Sequence, residues 1–294
     1  MHAPNLHLLP RIDFPTGETA DAVESLLRPF HLVASASDDV ISGTVGRFRV
    51  TDRNGIPGKE YSLPRFIVTG PEGGDRPIRI GIFGGLHGDE PESILGLLPF
   101  FRSIVADPEL IRGYVLFLYP LVNPTGYERG TRASATGKDL NREFWSGSEE
   151  PEVFLIEQEL IDHRFDGIVS LHADSDSRGV YGYARGATLS AEILAPALRA
   201  AAEALPHDPS PVIDGWPARD GIITEGYEGI LSAPDASHHA TGREQAFARG
   251  PQPFEIVFET PQQAPVTQQV EATRLALLSI LDNYRTFIAF SQNL

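Results

Sequence analysis

The chain has 294 residues, 41% of them hydrophobic, which allows one large α/β domain or two small ones with a substantial core. It has no cysteine, which excludes disulfides, thiolate metal sites and cysteine nucleophiles, so any transition-metal site must use histidine and carboxylate. The formal charge of −16 argues against nucleic acid and anionic membrane surfaces as partners.

Taken in chain order, residues 1–17 are irregular and rich in proline, and 18–31 read as an amphipathic helix with Ala22, Val23, Leu26 and Leu27 on one side. The start, Met1-His2-Ala3-Pro4-Asn5-Leu6-His7, lacks the basic-then-apolar order of a signal peptide. No apolar stretch approaches the roughly 20 residues of a membrane span, so a cytoplasmic location is expected. Two alternating segments follow, Thr44–Thr51 and Tyr61–Thr69, joined by a turn around Asn54-Gly55. From residue 78 buried strands alternate with helices. The strands are 78–86, 114–122, 167–172 and 254–259; the helices lie near 91–105, 151–163, 188–204 and 266–290. In the last helix Val266, Val270, Leu277, Leu281, Tyr284 and Ile288 recur at helical spacing. The Gly/Pro-rich stretch 206–253 has little periodicity and predicts long loops, which are often functional. This alternation predicts an α/β fold in a single domain over 1–294, with a mostly parallel mixed central β-sheet flanked by helices. Residues 1–75 would lead into a catalytic core at 76–294.

In open α/β sheets ligands bind outside the carboxyl ends of the strands. Each predicted core strand delivers polar groups there. The first ends in Gly84-Gly85-Leu86-His87-Gly88-Asp89-Glu90, where a tight turn aims a histidine and a carboxylate at one point. The second ends in Asn123-Pro124-Thr125-Gly126 and runs through Arg129 and Arg132 to Asp139-Leu140-Asn141-Arg142. The third ends in His172-Ala173-Asp174, the fourth in Glu259-Thr260-Pro261. His87, Glu90 and His172 make a two-histidine, one-glutamate set with an open position, the ligand set that the chemistry of zinc hydrolases uses. One zinc per chain is expected there. Glu259 is the natural general base, able to take a proton from water and pass it to a leaving amine, with Asp174 the next candidate. Arg132 is placed to stabilise an oxyanion, with Arg129 the near alternative. Asn141 and Arg142 read as a clamp for a substrate carboxylate. His163, His207, His238 and His239 are read as non-ligands. The glycines at 81–88 lack the Gly-x-Gly-x-x-Gly register of a dinucleotide loop.

The ordered set His-x-x-Glu, Asn-Pro-x-Gly, Asn-Arg, strand-end His and strand-end Glu spans residues 78 to 261 and resembles the zinc carboxypeptidase superfamily, which includes the succinylglutamate desuccinylase and aspartoacylase branch. The resemblance implies a mixed α/β sheet enzyme with one catalytic zinc. By position it matches His87, Glu90 and His172 to the metal ligands, Glu259 to the base, Arg132 to the oxyanion arginine, and Asn141 and Arg142 to the carboxylate binders. Peptidases of the family place a tyrosine on a mobile loop before the glutamate, a role for which Tyr227, Tyr181 and Tyr183 compete. The short interval from Glu90 to His172 and the Asp-Leu-Asn-Arg run look like the deacylase branch. Yet residues 260–294 read as one helix, with no room for the β-rich C-terminal domain that such deacylases carry. The expected activity is therefore a zinc-dependent hydrolase of an amide bond adjacent to a free carboxylate, acting on a small peptide. An N-acyl-amino-acid deacylase and an inactive binding module on the same fold are the alternatives.

Overall fold

The structure is a computed structural model that describes residues 21–51, 57–74, 76–223, 225–226, 229–231 and 253–291. Helix α1 (Ala22–Ala34) starts at Asp21, whose carboxylate accepts from the Val23 amide at 3.0 Å. It buries Leu26, Leu27, Phe30 and Ala34, one stripe at helical spacing. A long antiparallel hairpin follows, β1 (Val40–Thr51) and β2 (Pro57–Thr69). The core is then built from β3 (Ile78–Phe83), α2 (Pro91–Ala106), β4 (Tyr114–Tyr119), α3 (Pro124–Arg129), α4 (Pro151–His163), β5 (Gly167–Asp174), β6 (Tyr181–Ala184), α5 (Ala187–Leu189) and α6 (Ala195–Ala201). Three short strands, β7 (Val212–Ile213), β8 (Trp216–Arg219) and β9 (Ile222–Ile223), precede β10 (Phe254–Pro261) and the long α7 (Val266–Ser291).

The sheet runs in the order β1-β2-β4-β3-β5-β10-β6-β9-β8-β7. Its four central strands, β4, β3, β5 and β10, are mutually parallel, as the near-continuous apolar runs predict. The flanks are mixed: β2 and β6 pair antiparallel with β4 and β10, and only β6 and β9 pair parallel outside the centre. One face is covered by α2 and α6, which both pack on α7, with α1 beside α2; the core there includes Ile80, Ile82, Phe100, Phe258, Leu277 and Leu281. On the other face Val153, Ile156 and Leu160 of α4 pack with Phe83, Tyr119, Phe144 and Trp145. No helix among the described residues is long and apolar enough to cross a membrane.

Three elements differ from the sequence-based expectation. The strand expected over 78–86 stops at Phe83, although its backbone stays paired with the β4 side through Gly84 N to Tyr119 O and Asn123 N to Gly85 O, at 2.9 and 2.8 Å. The helix expected over 188–204 contains a π-turn at Ser190–Leu194 before α6. Pro196 has no N–H to continue the regular ladder there. The stretch expected to hold loops from 206 carries β7, β8 and β9, and residues 232–252 lie outside those described.

Candidate active site: a histidine-carboxylate cluster at the strand ends

The turn after β3 is set by close packing. A Cβ on Gly88 would come within 2.0 Å of the Gly126 carbonyl carbon, so only glycine lets the turn approach the start of α3 this closely. The Asn-Pro-x-Gly motif forms that start. Asn123 caps α3 by accepting from the Gly126 amide at 2.7 Å, and Pro124 occupies the first turn, where no N–H is needed. The Asn123 amide also donates to Leu86 O and Arg132 O, at 3.3 and 3.2 Å. One side chain thereby joins the His87 turn to the Arg132 loop. Glu90 is the residue before α2, and its carbonyl accepts from Ser93 Oγ at 2.7 Å.

His87, Glu90 and His172 are all buried, and one ligand atom from each lies within 4.8 Å of the others. His87 Nδ1 is 2.6 Å from Glu90 Oε1, His172 Nδ1 is 3.0 Å from Glu90 Oε2, and the two Nδ1 atoms are 3.1 Å apart. Two imidazole nitrogens and a carboxylate facing one another are three lone-pair donors aimed at one small volume. That donor set fits a borderline cation such as zinc. The outer nitrogen of His87, Nε2, is held by Asp139 Oδ1 at 3.1 Å, the carboxylate–histidine arrangement that fixes which ring nitrogen is free to ligate. The Ala173 amide donates to Glu90 Oε2 at 3.1 Å. Burial opposes charge on Glu90, but His172 and His87 beside it hold its carboxyl well below the usual carboxylate range. Burial likewise opposes charge on His87, and Asp139 and Glu90 more than offset this, raising its pKa.

Asp139 was visible in the sequence only as the residue before Leu140-Asn141-Arg142. In the fold it caps the 3₁₀ turn Leu140–Arg142 through the Asn141 amide at 3.0 Å, holds His87, and accepts from Arg132 Nε at 3.1 Å. Arg132 also reaches Glu90 Oε1, at 3.2 Å. Arg129 points elsewhere and donates to Ala135 O at 2.8 Å. Glu259 is the register partner of His172 across β10 and β5 and of Tyr181 across β10 and β6.

These groups meet in a cleft of about 520 Å³ lined by His87, Glu90, Arg132, Asn141, Arg142 and Glu259. Asn141 is buried and Arg142 exposed. The sheet order sets the polarity of the cleft. Arg132, Asn141 and Arg142 follow β4 on one side of the histidine cluster. Asp174 and Tyr181 line the cleft from β5 and β6, and Asp214 and Trp216 from the β7–β8 turn, on the other. The Tyr181 hydroxyl lies 3.1 Å from both Asp174 Oδ2 and Asp214 Oδ2. Asp214 and Trp216 escaped the sequence reading because their stretch has no periodicity, and Gln262 because nothing marks a polar residue just past a strand end. Tyr183 does not line the cleft, while Tyr227, His238 and His239 lie outside the described residues. His163 packs on Phe117, with ring centroids 4.4 Å apart, beside Arg65 and Glu159. His207 bridges Val180.

The chain thus combines a large mixed sheet, helices on both faces and a His-Glu-His cluster at the ends of its central strands. Residues 78–210 match the family model described as the succinylglutamate desuccinylase/aspartoacylase catalytic domain. The matched segment, somewhat under half of the chain, is thus similar to that catalytic domain. Among solved structures, a candidate metallopeptidase from Shewanella denitrificans OS217 has a TM-score of 0.65 and 22% identity, covering 89% of this chain and 90% of that one. A metallo-carboxypeptidase from Burkholderia cenocepacia has a TM-score of 0.63 and 18% identity, covering 90% and 69%. Murein peptide amidase A of Escherichia coli (strain K12) is 43% identical over 63 residues, 21% of this chain and 24% of that protein. The chain therefore matches about a quarter of the length of that curated relative.

Proposed function

We propose that this protein is a zinc-dependent hydrolase of amide bonds adjacent to a free carboxylate, acting in the manner of a metallocarboxypeptidase. The observation that carries this reading is the convergence of His87, Glu90 and His172 in a cleft that Glu259, Arg132 and Arg142 also line. His87 and His172 through Nδ1, and Glu90 through its carboxylate, would hold the metal. Zinc, when bound, supplies a Lewis acid that polarises the scissile carbonyl and lowers the pKa of water. Glu259 takes the proton of the attacking water and hands it to the leaving amine. Arg132 sets a guanidinium where negative charge grows on the carbonyl oxygen, and Asp139 orients both that guanidinium and the His87 ring. Asn141 and Arg142 hold the substrate carboxylate on the adjoining wall.

A second reading, an N-acyl-amino-acid deacylase, keeps every one of these roles and changes only the group on the far side of the amide. The match of residues 78–210 to the desuccinylase/aspartoacylase model favours it. Peptides and N-acyl amino acids, offered in parallel to zinc-loaded protein, separate the two. The common core of both is tested by metal analysis combined with turnover. Wild-type protein should carry one zinc, and a His87→Ala, His172→Ala double variant should carry none. Glu259→Gln should keep the metal and lose turnover by about 10²–10⁴-fold or more. Full zinc in the double variant, or near-normal turnover in the glutamine variant, would sink the assignment.

A further inference from the structure

The loop that presents Arg132 runs from the end of α3 at Arg129 to Asp139, and its own anchor lies on another element. Its outer part closes on itself through Ser134 N to Lys138 O and Gly137 N to Ser134 O, at 2.8 and 3.0 Å. Its inner part is tied at Arg132 O by Asn123. The tie of its outer part to α4 comes from Glu150, the residue before that helix. Ser134 Oγ donates to Glu150 Oε2 at 2.8 Å, and Thr136 Oγ1 donates to Glu150 Oε1. The two hydroxyls are themselves 2.9 Å apart, so both face the same carboxylate. Beside them the Ala135 amide donates to Thr125 Oγ1 at 3.0 Å, and that hydroxyl lies 3.1 Å from Glu152 Oε1.

Glu150 is buried, and the side-chain partners of its carboxylate among the described residues are hydroxyls rather than cations. A buried carboxylate without a cation is costly unless its oxygens are well hydrogen-bonded. Here both oxygens are used, and the N-terminal end of α4 adds a favourable dipole. Both oxygens are spent on the two loop residues that follow Arg132 by two and four positions. We propose that Glu150 is a positioning residue for Arg132: it fixes the 130–138 loop so that the guanidinium reaches Glu90 and Asp139 and faces the cleft. This rests on the reading of Arg132 as the group that opposes the developing oxyanion.

The test is a double-mutant cycle on metal-loaded full-length protein. It uses an N-acylated dipeptide with a free C-terminal carboxylate as probe, with amide hydrogen exchange as a second readout. Glu150→Ala should lower kcat by roughly tenfold or more, leave KM within about twofold, and keep zinc content and the cooperative unfolding transition. In an Arg132→Ala background the same change should cost less than about twofold, because the residue it acts through is gone. Amides in 130–138 should exchange faster in Glu150→Ala, and Glu150→Gln, which keeps an acceptor, should recover part of kcat. A Ser134→Ala, Thr136→Val variant removes the same tie from the loop side and serves if Glu150→Ala fails to fold. An equal loss from Glu150→Ala with and without Arg132 would overturn the proposal and leave Glu150 a stability residue. An Arg132→Ala variant with unchanged kcat would instead remove the oxyanion reading beneath it, a result visible before any Glu150 variant is made.

Discussion

At the scale of single residues, the site is a set of side chains each held by a second one. Asp139 holds His87 and Arg132, Asn123 joins two turns, and the Ala173 amide steadies Glu90. Arg142 differs: its side chain is exposed to the cleft, with Nη1 3.3 Å from Asn141 O. That exposure puts the guanidinium on the cleft wall proposed to meet a substrate carboxylate, and it limits what the contact is worth. Hydrogen bonds to charged groups contribute roughly 1.5–3 kcal/mol, so Arg142→Ala should lower kcat/KM on a free-acid peptide by about 10- to 150-fold. The C-terminally amidated peptide has no charge to offer and should lose far less. Steady-state kinetics on the matched pair decide the matter. Equal losses would make Arg142 structural and leave the preference for a free carboxylate without a basis.

At the scale of elements, the apolar runs expected as core strands over 78–86, 114–122, 167–172 and 254–259 were legible, though the first two strands end at Phe83 and Tyr119, because a strand buried on both faces has no choice of composition. The polar residues that end those runs were legible for the complementary reason. His87, Glu90, His172 and Glu259 stand where apolar sequence stops, and burial of such groups is costly without a partner. The short strands β6 to β9 were not legible, since two to four residues carry no period and gain their order from neighbours. Nor was the role of Asp139, which depends on a distance to a residue 52 positions earlier. The long helix α7 was read with its stripe through Leu277 and Leu281, and both are buried. Its contact with α2, however, runs through residues that apolar periodicity does not mark. Gly96 of α2 faces Thr273 of α7, where an added Cβ would stand 2.9 Å from Thr273 Cβ and 2.8 Å from its Oγ1. That Oγ1 is already bonded to Gln269 O, at 2.9 Å. Gly96→Ala gains about 1 kcal/mol of helix propensity, but overpacking costs typically 1–3 kcal/mol, and the threonine Cβ cannot rotate away. The expected net is a loss of up to about 2 kcal/mol in denaturant unfolding. A stabilised variant would mean that the two helices part at no cost.

At the scale of the whole molecule, α4 links one face of the sheet to the loop beside the cleft. Its apolar side packs under the sheet through Val153, Ile156 and Leu160, while its first turn carries Glu150 and Glu152 to the loop beside the cleft. Folding therefore buries carboxylates in a chain whose formal charge is already −16. Glu152 shows the consequence for stability. Burial pushes its pKa from an ordinary 4.5 up to about 7, with Glu150 nearby adding to the rise and the Thr125 hydroxyl opposing it. The folded chain thus prefers the protonated acid. The stability this group lends is full below pH 4.5, where both states are protonated, and is lost as the pH climbs through about 7, where the folded chain must ionise a buried group. The displacement corresponds to roughly 3 kcal/mol. Glu152→Gln keeps an acceptor for Thr125 and removes the titration. Relative to this variant, the wild type should therefore lose about 3 kcal/mol of unfolding free energy between pH 4.5 and 8. Denaturant melts of the two proteins across that range measure the difference directly, and because every other titrating group is shared, it cancels in the comparison. Two curves that stay parallel from pH 4.5 to 8 would show that the Glu152 carboxyl does not hold its proton in the folded chain.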